Sequence, residues 1–181
     1  IATDQAYFEL FSYEWLAGSP AASLQNPYQV VLTVSKAKLY FPDLKPTEVM
    51  GKEFFMDDSV RLTVSGIVMD QVEKTDFTFK AFVSRATLEK TSLKPRDWTQ
   101  WNNTNSASQL LVKLNKGINP VQVEKQILAL SEKNKIKEPG DNSKSIFVLQ
   151  ALSDIHFNTD YWNYENRIAH KPTMMGLLAV A

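Results

Sequence analysis

The sequence contains no cysteine. That absence excludes disulfide staples, thiolate nucleophiles, and zinc or iron–sulfur sites built on cysteine. It leaves the compartment open, because a chain of this length builds a core without disulfides wherever it resides. Charge of one sign is also lacking: 20 Lys plus Arg balance 20 Asp plus Glu, for a formal net charge of +0. No long-range field draws in a phosphate backbone or an anionic lipid surface, so nucleic acid is not an expected partner. No G-x-x-x-x-G-K-[ST] loop is present, and no glycine-rich fingerprint joins a strand to a helix. Nucleotide hydrolysis in this chain is thereby excluded and a dinucleotide site disfavoured. There is no G-x-S-x-G elbow, and Ser65-Gly66 and Ser84-Arg85 have no attendant base. No internal repeat is visible, and the opening "IATDQAYFELF" does not read as a secretory leader.

What is present describes a folded protein. Apolar residues make up 44% of 181, enough for one medium domain or two small lobes. The segment "YFELFSYEWLAGSP" is dense in aromatics and ends at the Gly18–Pro20 turn, but its period fits a strand and a short helix equally. Tyr28 to Leu32 reads as a strand. Thr33 can cap a short helix whose inner face is Val34, Ala37 and either Tyr40 or Phe41, with Pro42 as its stop. "KEFFM" and "VRLTVSGIVMD" flank the hairpin composition "DDS", and Gly66 breaks the alternation in a way that predicts a bulge. Phe77, Phe79 and Ala81 alternate onto one face of a further strand.

The later half carries the clearest unit. Leu110–Leu114 is predicted to be a strand and Gly117 a turn. Asn119 is the expected N-cap, Pro120 sits at N1, and Gln122 at N3 completes a capping box. Val123, Ile127 and Leu130 form the inner stripe of that helix. "IFVLQAL" is expected to be the next strand, giving a β-α-β run.

Residues with chemical potential are scattered. Asp154 and His156 are two apart, which on a strand puts them on one face, with Asp160, Glu165 and His170 downstream as further metal donors. The plainer expectation is that Asp154 and His156 close a strand at its solvent edge. The carboxylate pairs Asp57 with Asp58, and Asp70 with Glu73, border turns, where Asp caps amides. Trp98 and Trp101 suit a helix face or a stacking platform, with core packing as the simpler role. Asn102-Asn103-Thr104 matches a glycosylation sequon that carries no weight by itself. No residue is assigned a catalytic, cofactor-binding or metal-binding role.

The run from Met174 to Ala181, "MMGLLAVA", has eight residues where a membrane crossing takes about 20. It is either the start of a core element or the opening of a transmembrane helix.

Taken in order, several segments resemble the extracytoplasmic domain of MacB/FtsX-like ABC transporter permeases of the Bacteroidetes type. They are "YFELFSYEWLAGSPAASLQNPYQVVLTVSKAKLYF", "VMGKEFFM", "LTVSGIVMD", "TDFTFKAFVS", "LLVKLNKGINPVQVEKQILAL" and "LQALSDIHFN". The resemblance implies an α+β fold of two lobes. A discontinuous Porter-like β-α-β lobe would take residues 1–31 and 89–173, and an inserted β-rich Sabre-like lobe residues 32–88. Residues 174–181 would begin a membrane helix, with another membrane helix and the domain's opening segment preceding this chain.

It further implies a non-catalytic domain on the periplasmic side of the inner membrane, with no cofactor. Its partners would be an ATP-binding cassette ATPase, a second copy in a homodimeric permease, and possible periplasmic proteins. The function implied is export or envelope mechanotransmission. Tyr161, Trp162 and Tyr164 have the amphipathic character favoured near a bilayer interface, and lobe packing explains them as well. No long insertion for a periplasmic adaptor is recognised. Two other readings remain open: a stand-alone envelope binding module with a pocket at Trp98, Trp101 and Phe82, and a metal-dependent hydrolase at Asp154 and His156.

Overall fold

The computed structural model describes residues 1–72, 75–95, 98–101, 108–136, 140, 144–160 and 168–180. It is a mixed α+β fold whose residues divide into two compact units, Ile1–Trp98 and Thr99–Ala181.

The first unit is organised by one six-stranded sheet. In chain order it contains β1 (Ala2–Thr3), α1 (Ala6–Leu10), β2 (Trp15–Ala17), β3 (Gln29–Thr33), α2 (Val34–Tyr40), a 3-10 turn at Pro46–Val49, β4 (Glu53–Met56), β5 (Val60–Val68), β6 (Ala81–Ser84) and α3 (Arg85–Glu89). The order across the sheet is β1-β6-β3-β5-β2, with β4 also on β5. β5 is the hub. One of its edges pairs in parallel with β3. The other is shared by two antiparallel partners, β4 along Val60–Thr63 and β2 at Ile67 and Val68. β3 crosses residue 31 and pairs with β6 as well as β5, so strands from before and after residue 31 belong to one sheet.

The expected break at Gly66 is a register shift: Val30 pairs with Val64, but Val31 pairs with Gly66, leaving Ser65 over. An extra residue flips the side-chain alternation beyond it. Val60, Leu62, Val64 and then Ile67 therefore pack on one face, with Val30, Leu32, Ala37 of α2 and Val49. Val31, Val68 and Phe82 pack on the other, against Tyr7 and Phe8 of α1 and Leu24. Each large aliphatic so buried contributes about 1.5–3 kcal/mol.

α2 starts as the sequence predicts, with the Thr33 hydroxyl accepting from the Lys36 amide at 3.4 Å. Phe41 is the residue that packs inward with Val34 and Ala37. Tyr40 stays half-exposed and stacks on Phe54, ring centroids 4.6 Å apart. The Phe77, Phe79 and Ala81 face is not formed, because β6 begins only at Ala81. Phe77 contacts Phe11 at 4.8 Å and Phe79 joins the aromatic cluster, while Ala81 packs on the opposite cluster.

The second unit holds α4 (Pro120–Asn134), a 3-10 turn at Leu152–Asp154, and α5 (Lys171–Val180). Asn119 caps α4, accepting from the Val121 amide at 3.0 Å, one position short of the expected bond at N3. Val123 and Ile127 are partly covered, but Ser131 is buried and Leu130 faces solvent. The packed face follows i, i+4, i+8, and Leu130 falls off it.

The two strands predicted on either side of α4 are not formed. A strand exists only through a hydrogen-bonded neighbour, and neither run pairs in a ladder among the described residues. Leu110 and Ile146 are 78% and 82% exposed. The Leu149 amide is held instead by the Glu124 carboxylate of α4, at 2.8 Å.

Candidate interaction surface

The side chains with chemical potential are occupied in structural work. Asp154 and His156 do not share a strand face, because Asp154 ends a 3-10 turn. Its carboxylate accepts from Asn158 Nδ2 at 2.5 Å and Gln150 Nε2 at 3.5 Å. The His156 ring meets the edge of Phe157 at 4.9 Å, and its carbonyl accepts from the Ala169 amide at 2.8 Å. Asp160 turns its amide to Asn158 Oδ1, and His170 Nδ1 lies 2.7 Å from Thr173 Oγ1. Glu165, the sequon at 102–104, and Tyr161, Trp162 and Tyr164 lie outside the described residues. Among the described residues, no three His, Asp or Glu side chains gather around a metal-sized space.

The carboxylate pairs resolve into turn and cap chemistry. Asp57 and Asp58 both adopt positive φ, 50° and 55°, and close the β4–β5 hairpin, a backbone region Asp tolerates better than most residues. Asp70, just after β5, binds the start of α2 through the Ser35 amide at 2.8 Å and the Ser35 hydroxyl at 2.5 Å. Glu73, its expected mate, is outside the described residues. The hydroxyls of Ser65 and Ser84 donate to the carbonyls of Val30 and Leu24, both at 3.3 Å.

The supposed pocket aromatics also separate. Phe82 is fully buried at the centre of the aromatic cluster, 5.0 Å from Phe8 and 5.3 Å from Tyr7. Arg85 stacks its guanidinium over Trp98 at 5.1 Å. Trp101 belongs to the other compact unit.

Among the described residues, one sheet face is uncovered toward the β4–β5 hairpin. The aromatic cluster covers that face only at the Val68 end of β5. Toward the hairpin, the residues on the same side are Arg61 and Thr63 of β5 and Glu53 and Phe55 of β4, which alternate with the buried set. Glu53, Arg61 and Thr63 border a groove of about 700 Å³ that Pro27, Tyr28, Thr91 and Ser92 also line. Arg61 and Glu53 form an exposed ion pair at 3.5 Å, and Thr63 Oγ1 donates to Glu53 at 3.5 Å. Tyr28 is held at the rim with φ of 66°, its amide bonded to Thr87 Oγ1 at 2.7 Å. The groove is lined by hydroxyls, one exposed ion pair and the exposed ring of Tyr28. Sequence alternation along β4 and β5 held the signal for this surface, but which strand end lay uncovered depended on the bulge and on α1.

The profile of the MacB-like periplasmic core domain matches residues 1–130, well over half of the chain. The chain belongs to this family. The MacB-like periplasmic core domain is a non-catalytic, periplasmic relative of the MacB/FtsX permeases. Solved structures resemble it, two among them as follows. One is a domain described as part of a permease protein from Porphyromonas gingivalis, at a TM-score of 0.51 and 14% identity over 74% of this chain and 58% of that one. The other is the periplasmic region of MacB from Actinobacillus actinomycetemcomitans, at 0.47 and 19% over 72% and 53%. At 14% identity the first speaks for the fold alone, and the chain spans little more than half the length of either. No curated protein matches.

Proposed function

We propose that this MacB-like core domain is the periplasmic part of an ABC transporter permease anchored in the inner membrane. It would carry motion driven by an ATP-binding cassette ATPase into the periplasm, in a homodimer, for export or mechanotransmission. The observation that carries the reading is α5, within a chain of this family. From Lys171 to Ala179 every residue of this helix is exposed, and no polar side chain follows Thr173. Met175, Leu177 and Leu178 are 67%, 67% and 71% exposed, an arrangement water disfavours and a bilayer welcomes. At 10 residues the helix is about 15 Å long. Among the described residues no helix is long and apolar enough to cross a membrane, so α5 is read as the first turns of one.

In this reading residues 32–88 of the sheet unit are the Sabre-like lobe, and residues 1–31 and the α4 unit belong to the Porter-like lobe. β3 runs across residue 31 into pairs with β5 and β6, so this reading has the two lobes meet within one strand rather than at a linker. The runs at 110–114 and 146–152, which have no ladder partner among the described residues, suit a lobe completed by other chain. Force would pass from α5 through Lys171, whose ammonium lies over the Phe157 ring at 4.6 Å, and the Ala169 amide bonded to the His156 carbonyl. A cross-link fixing the two units to each other in the intact permease is expected to abolish transport and leave assembly unchanged. Undiminished transport would end the proposal.

A further inference from the structure

We draw no further inference here: the strongest candidate, the groove beside the β4–β5 hairpin lined by Tyr28, Thr63 and the exposed Glu53–Arg61 ion pair, carries nothing because its hydroxyls, single ring and paired charges suit a sugar and a peptide equally, and nothing in the structure shows what fills it.

Discussion

The Asp70 carboxylate holds the start of α2 by two bonds to one residue, the amide of Ser35 at 2.8 Å and its hydroxyl at 2.5 Å. Asp70 follows β5, so this contact ties the hub strand to the helix over the first core cluster. Partial burial pushes its carboxyl up, but the bonds from Ser35, the Thr33 hydroxyl and the charge of Lys80 outweigh it, and the net direction is down.

Replacing Asp70 with Asn is expected to cost about 1 kcal/mol at neutral pH, the usual scale for a lost helix-start carboxylate. A carboxyl whose folded pKa is depressed contributes stability above its unfolded pKa and loses it as pH falls through the folded value. The difference between wild type and Asp70→Asn should thus be full above about pH 5 and shrink below about pH 4. Urea melts at several pH values measure it. A constant difference across that range would show that the charge is irrelevant.

Tyr7 is the one described residue whose buried side-chain polar atom has no hydrogen-bond partner. Burial first, and then the neighbouring Tyr13 hydroxyl, push its phenol far up, so the hydroxyl stays neutral; Tyr13 lies near but does not meet it in hydrogen-bonding geometry, which leaves part of the desolvation cost standing. Tyr7→Phe is expected to raise stability, by up to about 1 kcal/mol. In contrast, Phe82→Ala, at the centre of the same cluster, should cost about 3–5 kcal/mol. Thermal melts of both variants check the pair of signs.

Two glycines permit the approach of the β2 turn to the bulge. A Cβ on Gly18 would lie 2.6 Å from the Ser65 carbonyl oxygen, at a φ of +78°. A Cβ on Gly66 would lie 2.5 Å from the Trp15 ring. Either Ala substitution is expected to cost at least about 2 kcal/mol. Gly18→Ala should be the worse, because a backbone atom yields less than the end of a side chain. Equal stabilities in denaturant titration would contradict that ranking.

Glu124 is expected to fasten the 144–150 segment to α4. Glu124→Ala should speed exchange of the Leu149 amide, whose bond to Oε1 is 2.8 Å, while leaving amides in the middle of α4 as slow as before. Unaltered exchange at Leu149 would mean the segment is held by other contacts.

Local signals were legible where one residue decides the backbone. Thr33 before Val34, Pro120 after Asn119, "DDS" between two alternating runs and Gly66 within β5 each mark a boundary or break that the structure contains. The failures concern pairing. Leu110–Leu114 and "IFVLQAL" have strand alternation, but alternation only prepares a face, and a ladder needs a neighbour that composition cannot name. Asp154 and His156 looked aligned because the preceding run read as a strand. A 3-10 turn at Leu152–Asp154 removed the alignment. The uncovered face by Tyr28 and Arg61 was illegible because the covering aromatics come from α1, Tyr13 and Phe82, distant in sequence. The aromatic segment at Phe8–Trp15 divides into a helix and a strand, which explains its mixed period.

The central claim is that α5 opens a membrane helix to which this periplasmic body is attached. Because the chain has no cysteine, single reporters are simple to place. In the full permease with its other cysteines replaced, Val72→Cys, at a site 93% exposed, and Leu177→Cys are labelled on spheroplasts with a membrane-impermeant maleimide. The account predicts rapid labelling at 72 and none at 177 until detergent is added. Labelling of 177 as fast as 72 in intact membranes would contradict it.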